Sequence, residues 1–170
     1  MLMTLDPGVY TFIAKGKNNT SGIVLIEVYD ADVSGSSFAG IASRALSVTG
    51  NNVAIGGFVV TGTAPKQVMM RAVGSSLVVQ GLPESELLLD PTIELHRGST
   101  ILATNDNWDD NDNAAAIVTE GARIGATPLG TNDTKSAVLL MTLQPGVYSF
   151  IVKGANNSTG LVLVEVYDAD

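Results

Sequence analysis

The chain has 170 residues, 45% hydrophobic and 15% charged, which is the length of about one domain and too apolar for a disordered protein. The formal net charge of −8 argues against nucleic-acid binding, because phosphate recognition needs a basic surface. No apolar run reaches the roughly 18 residues of a membrane-spanning helix, and the lack of Cys excludes disulfides and Cys-ligated metals.

The first predicted element is a β-hairpin within residues 3–32. In residues 9–15, alternate positions give the predicted strand one aromatic face and one face of mixed composition. Residues 17–22 have turn composition, and residues 23–29 form a second β-rich run. A loop of about six residues between two such runs is typical of a hairpin. The start of the chain shows no signal-peptide pattern, so we expect either a chain not secreted by that route or a segment of a longer or mature protein.

Six further strands and one helix are predicted in the middle of the chain. Gly56 and Gly57 interrupt one strand, which indicates a bulge or a close backbone approach, and Arg97–Ser99 forms the turn of a second hairpin. The helix spans Asn113–Ile124, after a capping Asn or Asp. The strands are Ser43–Val48, Val53–Thr61, Gln67–Val73, Thr92–His96, Thr100–Thr104 and Lys135–Leu143.

The last 30 residues repeat the start of the chain. Residues 141–170 match residues 3–32 at 22 of 30 positions, with an offset of 138. We interpret this as a repeat of which 33–170 is one complete unit and 1–32 is the end of a preceding unit. The alternative division takes 1–140 as the complete unit and leaves 141–170 over, and it fits the offset of 138 equally well. The predicted fold is all-β: an antiparallel β-sandwich or jelly roll with one short helix, plus a duplicated terminal β-hairpin.

Several motifs occur in an order that resembles a known family. They are Gly57–Val60, Lys66–Leu77, Asp90–Leu95, Asn105–Trp108, Pro145–Tyr148 and Gly160–Tyr167. This order resembles an uncharacterised repeat of about 138 residues in large secreted bacterial proteins, notably of planctomycetes and verrucomicrobia, over about residues 40–170. Ser75 departs from that pattern, which usually has Pro there. The second half is also similar to bacterial pre-peptidase C-terminal domains. The resemblance implies an extracellular or cell-surface module without catalytic residues.

The densest polar cluster lies between residues 105 and 113. Four carboxylates and their neighbouring amides are the oxygen ligands that Ca²⁺ prefers, and a cation would relieve their mutual repulsion. The alternative is a solvated turn loop whose last Asn or Asp caps the helix. Calcium is the one cofactor that the sequence suggests. The predicted ligands are Asp106, Asp109, Asp110 and Asp112.

Three other groups of charged residues are predicted to be structural. His96 has no Ser or Asp at motif spacing, so we expect a structural histidine. Arg71 lies in an apolar strand, where a charge needs a partner, and Asp90 or Glu94 is the predicted one. The acidic residues that end the two hairpins are predicted to be solvated strand ends, with a role at junctions between repeats as the alternative. They are Glu27, Asp30, Asp32, Glu165, Asp168 and Asp170.

The duplicated hairpin carries the functional prediction. An isolated hairpin is marginal in water, so the spare copy has to cover a neighbouring repeat or another copy of the chain. A head-to-tail contact between copies that does not close into a ring produces a fibre. We therefore predict a non-enzymatic structural module of an extracellular filament, stalk or surface array, joined head to tail. The alternative is a carbohydrate- or surface-binding module that contacts glycans through Trp108. A hydrolase is less favoured, because no catalytic triad or acid pair is recognisable.

Overall fold

The structure is a computed structural model that describes residues 1–31, 37–130 and 132–170. The chain divides into two compact units, Met1–Phe38 and Ala39–Asp170. The domain boundary predicted between residues 32 and 33 falls within residues 32–36, which lie outside the described residues, as does Asp32.

The second unit contains eight strands and one α-helix. Each predicted interior strand corresponds to one of β1–β6, with its ends displaced by at most three residues. The elements are β1 (Gly40–Ser47), β2 (Ala54–Val60), β3 (Lys66–Val73), β4 (Pro91–Arg97), β5 (Thr100–Asn105), α1 (Ala114–Arg123), β6 (Ala137–Leu143), β7 (Gly146–Gly154) and β8 (Gly160–Asp168).

These strands form two four-stranded sheets. The first has the order β1-β8-β3-β6 and the second has the order β2-β7-β4-β5. Neighbouring strands are antiparallel throughout. The predicted antiparallel β-sandwich with one short helix is confirmed, and so is the hairpin that joins β4 to β5.

The predicted terminal hairpin is corrected by the pairing. β7 and β8 follow one another with the short turn Ala155–Asn157 between them, but they do not pair with each other. β7 lies between β2 and β4, while β8 lies between β1 and β3. The connection is therefore an arch between the two sheets, and it supplies an interior strand to each.

The core between the sheets is built from alternate residues of each strand, because successive side chains of a strand point to opposite faces. Tyr148, Phe150 and Val152 of β7 face Val162 and Val164 of β8 across this core, and all five are buried. The arch thus contributes side chains to both inner faces.

A second apolar cluster covers the outer face of the first sheet. Ile117 of α1 packs there with Met69 of β3 and with Val138 and Leu140 of β6. Within the described residues, no helix is long and apolar enough to cross a membrane.

Residues 1–31 of the first unit contain no strand and have one 3₁₀ turn, Lys17–Asn19. The hairpin predicted in 3–32 is therefore wrong for the residues that the structure describes. The matching residues at the end of the chain become strands through hydrogen bonds to β1–β4, which are long-range partners. The sequence of the segment alone does not supply such partners.

Candidate functional site

A buried ion pair joins the arch to the first sheet. Arg71 of β3 and Glu165 of β8 are directly opposite in the strand register, and Arg71 Nε lies 3.2 Å from Glu165 Oε2. The Tyr167 hydroxyl donates to Glu165 Oε1 at 2.7 Å, and Arg71 Nη2 donates to the Thr127 carbonyl at 2.8 Å. Both charges are withdrawn from water and held by neutral hydrogen bonds as well as by each other.

This pairing corrects two predictions. The predicted partners of Arg71 are engaged elsewhere: Glu94 accepts from Lys153 at 2.6 Å, and Asp90 lies 3.4 Å from Lys135. Glu165, predicted to be a solvated strand end, is only 2% exposed.

Burial and the neighbouring carboxylate change the pKa of Tyr167. Burial and the adjacent Glu165 carboxylate both raise the pKa of the Tyr167 hydroxyl above its ordinary value. The phenol therefore stays protonated and continues to donate its hydrogen bond to Glu165.

Lysine and aspartate side chains secure the end of β8 against β3. Lys66 Nζ lies 2.6 Å from Asp168 Oδ2, and Asp170 accepts the backbone N–H of Gln67 at 2.8 Å. The bond to Asp168 raises the pKa of Lys66, and the backbone bond lowers that of Asp170. These carboxylates lie at the surface, so the prediction of a charged strand end fits them better than it fits Glu165.

The duplicate segment, residues 1–31, reproduces the turn of the arch. Asn18 and Asn19 have φ values of 56° and 59°, and Asn156 and Asn157 have 55° and 59°. Positive φ is uncommon outside glycine, although asparagine tolerates it better than most residues. Both segments therefore adopt the same left-handed turn.

A tyrosine-to-backbone contact is also present in both copies. The Tyr148 hydroxyl donates to the Gln144 carbonyl at 2.6 Å, and the Tyr10 hydroxyl donates to the Asp6 carbonyl at 2.8 Å. A tyrosine that bonds back to the chain four residues earlier fixes the entry into a strand in many β-sandwiches. The duplicate segment therefore keeps this local contact although the structure shows no strand in residues 1–31.

The tyrosine–glutamate contact is the third shared feature. The Tyr29 hydroxyl donates to Glu27 Oε1 at 2.8 Å, as Tyr167 does to Glu165. The hydrogen bond to Glu27 raises the pKa of Tyr29, again as in the arch.

The two copies differ in burial. Phe150 is fully buried, whereas its counterpart Phe12 is 58% exposed. Val162 is likewise fully buried, whereas Val24 is 64% exposed. The duplicate segment therefore carries the core residues of a sandwich arch on a solvent-exposed surface.

A glycine at the start of the second strand shows the same contrast. A Cβ at Gly160 would lie 2.4 Å from the backbone of Leu87, so only glycine fits there. At the corresponding Gly22, a Cβ would meet nothing within 4 Å. The requirement for glycine is thus visible in the arch and not in its duplicate.

The asparagines of the 105–113 loop bind the free edge of β6. Asn105 Oδ1 accepts the Val138 N–H at 2.8 Å, Asn111 Nδ2 donates to the Val138 carbonyl at 3.0 Å, and Asn113 Nδ2 donates to the Leu140 carbonyl at 3.1 Å. These amides replace a missing neighbouring strand, because an uncovered edge exposes unpaired backbone groups. Asn113 precedes α1, but its side chain does not cap the helix as predicted.

The structure places the predicted calcium ligands on the outside of this loop. Asp106, Asp109, Asp110 and Asp112 are all exposed, and Asp110 accepts from Asn107 at 3.3 Å. Among the described residues, no group of three or more acidic or histidine side chains could hold a metal ion. Calcium binding by this loop stays a prediction without geometric support.

Trp108 is hydrogen-bonded to the backbone of Asp133, a buried residue. The indole Nε1 donates to the Asp133 carbonyl at 2.5 Å, and the ring packs against the second apolar cluster. The Asp133 carboxylate accepts from Ser76 and from the Ser136 hydroxyl at 2.8 Å. Burial raises and these hydrogen bonds lower the pKa of Asp133, and the lowering prevails. The contacts place Trp108 in the packing of the domain; a role in ligand binding stays a prediction.

His96 lies in β4 beside an acidic residue of the same strand. Its Nε2 is 3.4 Å from Glu94 Oε2, and Glu94 also binds Lys153. The hydrogen bond from Lys153 is the main cause that lowers the pKa of Glu94. His96 therefore has an acidic neighbour on its own strand, and its structural role stays a prediction.

Sequence reasoning missed both the Arg71–Glu165 pair and the tyrosine-to-backbone contact. The tyrosine contact left a signal in the sequence, because Pro-Gly-Val-Tyr recurs in both copies and places a tyrosine four residues after the carbonyl that it binds. The first left only a buried arginine without a visible partner, because the register that aligns it with Glu165 is set by strands distant in sequence.

No family model matches the chain, and no curated protein matches it. Among solved structures, it is similar to the pre-peptidase C-terminal domain of a collagenase from Bacillus anthracis, with 13% sequence identity and a TM-score of 0.43. That match covers 75% of this chain and 88% of the other.

Proposed function

We propose that this protein is a non-enzymatic structural module of an extracellular bacterial filament, stalk or surface array, in which modules follow one another head to tail. The duplicate segment 1–31 is the arch of a neighbouring module. It completes a sandwich whose other six strands correspond to β1–β6. The observation that carries the proposal is that the segment has the side chains and the turn of an arch while its core residues are exposed.

The substitutions between the two copies support this assignment. Only two of the eight differences fall at positions that face the core, Ala14 for Val152 and Ile26 for Val164. The other differences lie in turns or on outward positions. Packing against a core explains this distribution, since a segment that stays in solvent has no reason to keep Tyr10, Phe12 and Val24.

The extracellular setting rests on the resemblance to repeats of large secreted bacterial proteins. The carbohydrate-binding alternative has no specific observation in its favour, because Trp108 is engaged in packing and its indole N–H already has an acceptor.

The test is a chain extended at its N-terminus by a second copy of residues 33–140, joined directly to Met3. Met3 corresponds to Met141, so the added copy and residues 3–32 together form one complete repeat unit. Hydrogen exchange measured by mass spectrometry is expected to show residues 9–29 as protected as residues 147–167. In the original chain residues 9–29 are expected to exchange rapidly, because backbone groups outside a sheet are open to water.

Two matched variants distinguish insertion of the segment into the sandwich core from nonspecific hydrophobic association. Phe12→Ser removes a side chain whose counterpart Phe150 is buried, and Ile13→Ser removes one whose counterpart Ile151 is only half-buried on the outer face. Phe12→Ser is expected to abolish the protection and Ile13→Ser to keep most of it. An extended chain that leaves residues 9–29 unprotected would overturn the proposal.

Assembly is measured separately by negative-stain electron microscopy of chains with several modules. Regular rods with an axial repeat of one module are expected. Samples with and without a calcium chelator also test the predicted cation, because rods that disperse in chelator would place calcium at a junction between modules.

A further inference from the structure

The charges buried in the arch restrict which sandwich the duplicate segment can complete. In the second unit, Glu165 is buried and is neutralised by Arg71 from the neighbouring strand β3. β8 has a second neighbour, β1, and the residue opposite Glu165 on that side is Ala42. The cation that compensates Glu165 therefore comes from β3.

Glu27 takes the position of Glu165 in the duplicate segment. It already holds the Tyr29 hydroxyl at 2.8 Å, as Glu165 holds Tyr167. Residues 1–31 contain no arginine and two lysines, Lys15 and Lys17. Lys15 corresponds to Lys153, which binds Glu94 in the other sheet, and Lys17 corresponds to a residue of the turn. Insertion into a sandwich would thus bury a carboxylate whose positive partner the segment does not bring with it.

Burial of a carboxylate without a cation is strongly unfavourable, and neutral hydrogen bonds from a tyrosine offset only part of the cost. The acceptor sandwich has to provide the cation, at the position of its third strand that lies opposite Glu27. A sandwich with an apolar residue there would pack around the same aromatic and aliphatic side chains and still reject the segment.

We infer that Glu27 is the residue that selects the partner, and that the partner is a β1–β6 half-sandwich with an arginine at the position of Arg71. This inference rests on the proposed function and adds the specificity of the joint. A second copy of residues 33–140 satisfies the requirement, because it carries that arginine and lacks β7 and β8, which occupy these positions in the complete unit. Modules of the same type then join each other and exclude sandwiches that lack the cation.

The extended chain described above also tests this inference. In the added copy, the arginine that corresponds to Arg71 is replaced by Met. The protection of residues 9–29 from hydrogen exchange is expected to fall by at least ~100-fold, the effect of leaving one buried charge unpaired. A second variant combines this change with Glu27→Leu, which removes both charges. It is expected to recover protection to within about 10-fold of the parent chain.

The matched control is Arg71→Met in the original module of the same extended chain, which is expected to leave the protection of residues 9–29 unchanged. Protection that survives the loss of the added arginine would overturn the inference while the proposed module stands. Protection that Glu27→Leu fails to restore would also overturn it, because the arginine would then act through packing. If residues 9–29 of the unsubstituted extended chain are not protected from hydrogen exchange, the proposed function is overturned as well.

Discussion

Arg71 and Glu165 face each other across β3 and β8 with 3.2 Å between Nε and Oε2, in a part of the sandwich closed to solvent. The pair links the chain's third strand to its last, so the arch is recognised by charge as well as by shape. Burial of such a pair is weak support for stability but gives the joint a definite register, because a shift by one residue would point Glu165 into the apolar core.

Removal of one member of this pair is expected to be more harmful than removal of both. Arg71→Met and Glu165→Leu should each lower the free energy of unfolding by about 3–5 kcal/mol, because each leaves a buried charge uncompensated. The double variant should be less destabilised than the sum by several kcal/mol. Urea denaturation of the four proteins measures this coupling, and additive effects would contradict the pairing.

The asparagine contacts at the β6 edge give a second prediction. Asn111→Ala should lower the free energy of unfolding by about 1–3 kcal/mol, because it leaves the Val138 carbonyl without its donor. Asp109→Asn, at an exposed position of the same loop, is the control and should change stability by less than about 0.5 kcal/mol. Equal effects would show that the loop does not cover the edge.

Acid should weaken the domain through Asp133. Because the folded-state pKa of this carboxyl is lowered, its contribution is complete above the unfolded pKa of about 3.9 and is lost as the pH falls through the folded value. Asp133→Asn should therefore be less stable than the parent at pH 7, and the difference should shrink below about pH 4. Denaturation at pH 7, 5 and 3 measures it, and a constant difference would contradict the assignment.

A glycine pair in β2 offers a matched test of packing. A Cβ at Gly56 would lie 2.3 Å from Cε1 of the buried Phe150, while a Cβ at Gly57 would lie 3.7 Å from the nearest atom, the Tyr148 carbonyl oxygen. Gly56→Ala should lower the melting temperature, with a cost of about 1–3 kcal/mol from overpacking, and Gly57→Ala should have little effect. Phe150→Leu combined with Gly56→Ala should recover part of the loss. Equal melting temperatures for the two alanine variants would show that β2 can move away from Phe150.

The same glycines show which structural features a sequence pattern predicts and which it does not. Gly56 and Gly57 indicate a bulge or a close backbone approach, and the structure shows a regular register with the Phe150 ring against Gly56. A glycine inside a strand predicts that something lies close to the backbone, but the neighbour comes from β7, nearly a hundred residues away in the chain. The identity of that neighbour is a property of the sheet order.

The sequence by itself determined the strands of the second unit, the helix, the all-β class and the duplication, because these depend on local alternation and on direct comparison of two segments. The same alternation in residues 3–32 predicted strands that the structure does not contain. Only the tertiary structure decided that β7 and β8 lie in different sheets, that Glu165 rather than Asp90 or Glu94 pairs with Arg71, and that the asparagines bind β6. The physical reason is that alternation with a period of two reports which faces of a strand are apolar, and a hairpin and an arch have the same pattern. Hydrogen-bond partners and buried ion pairs depend on register between distant strands, which forms only when both sheets close around their common core.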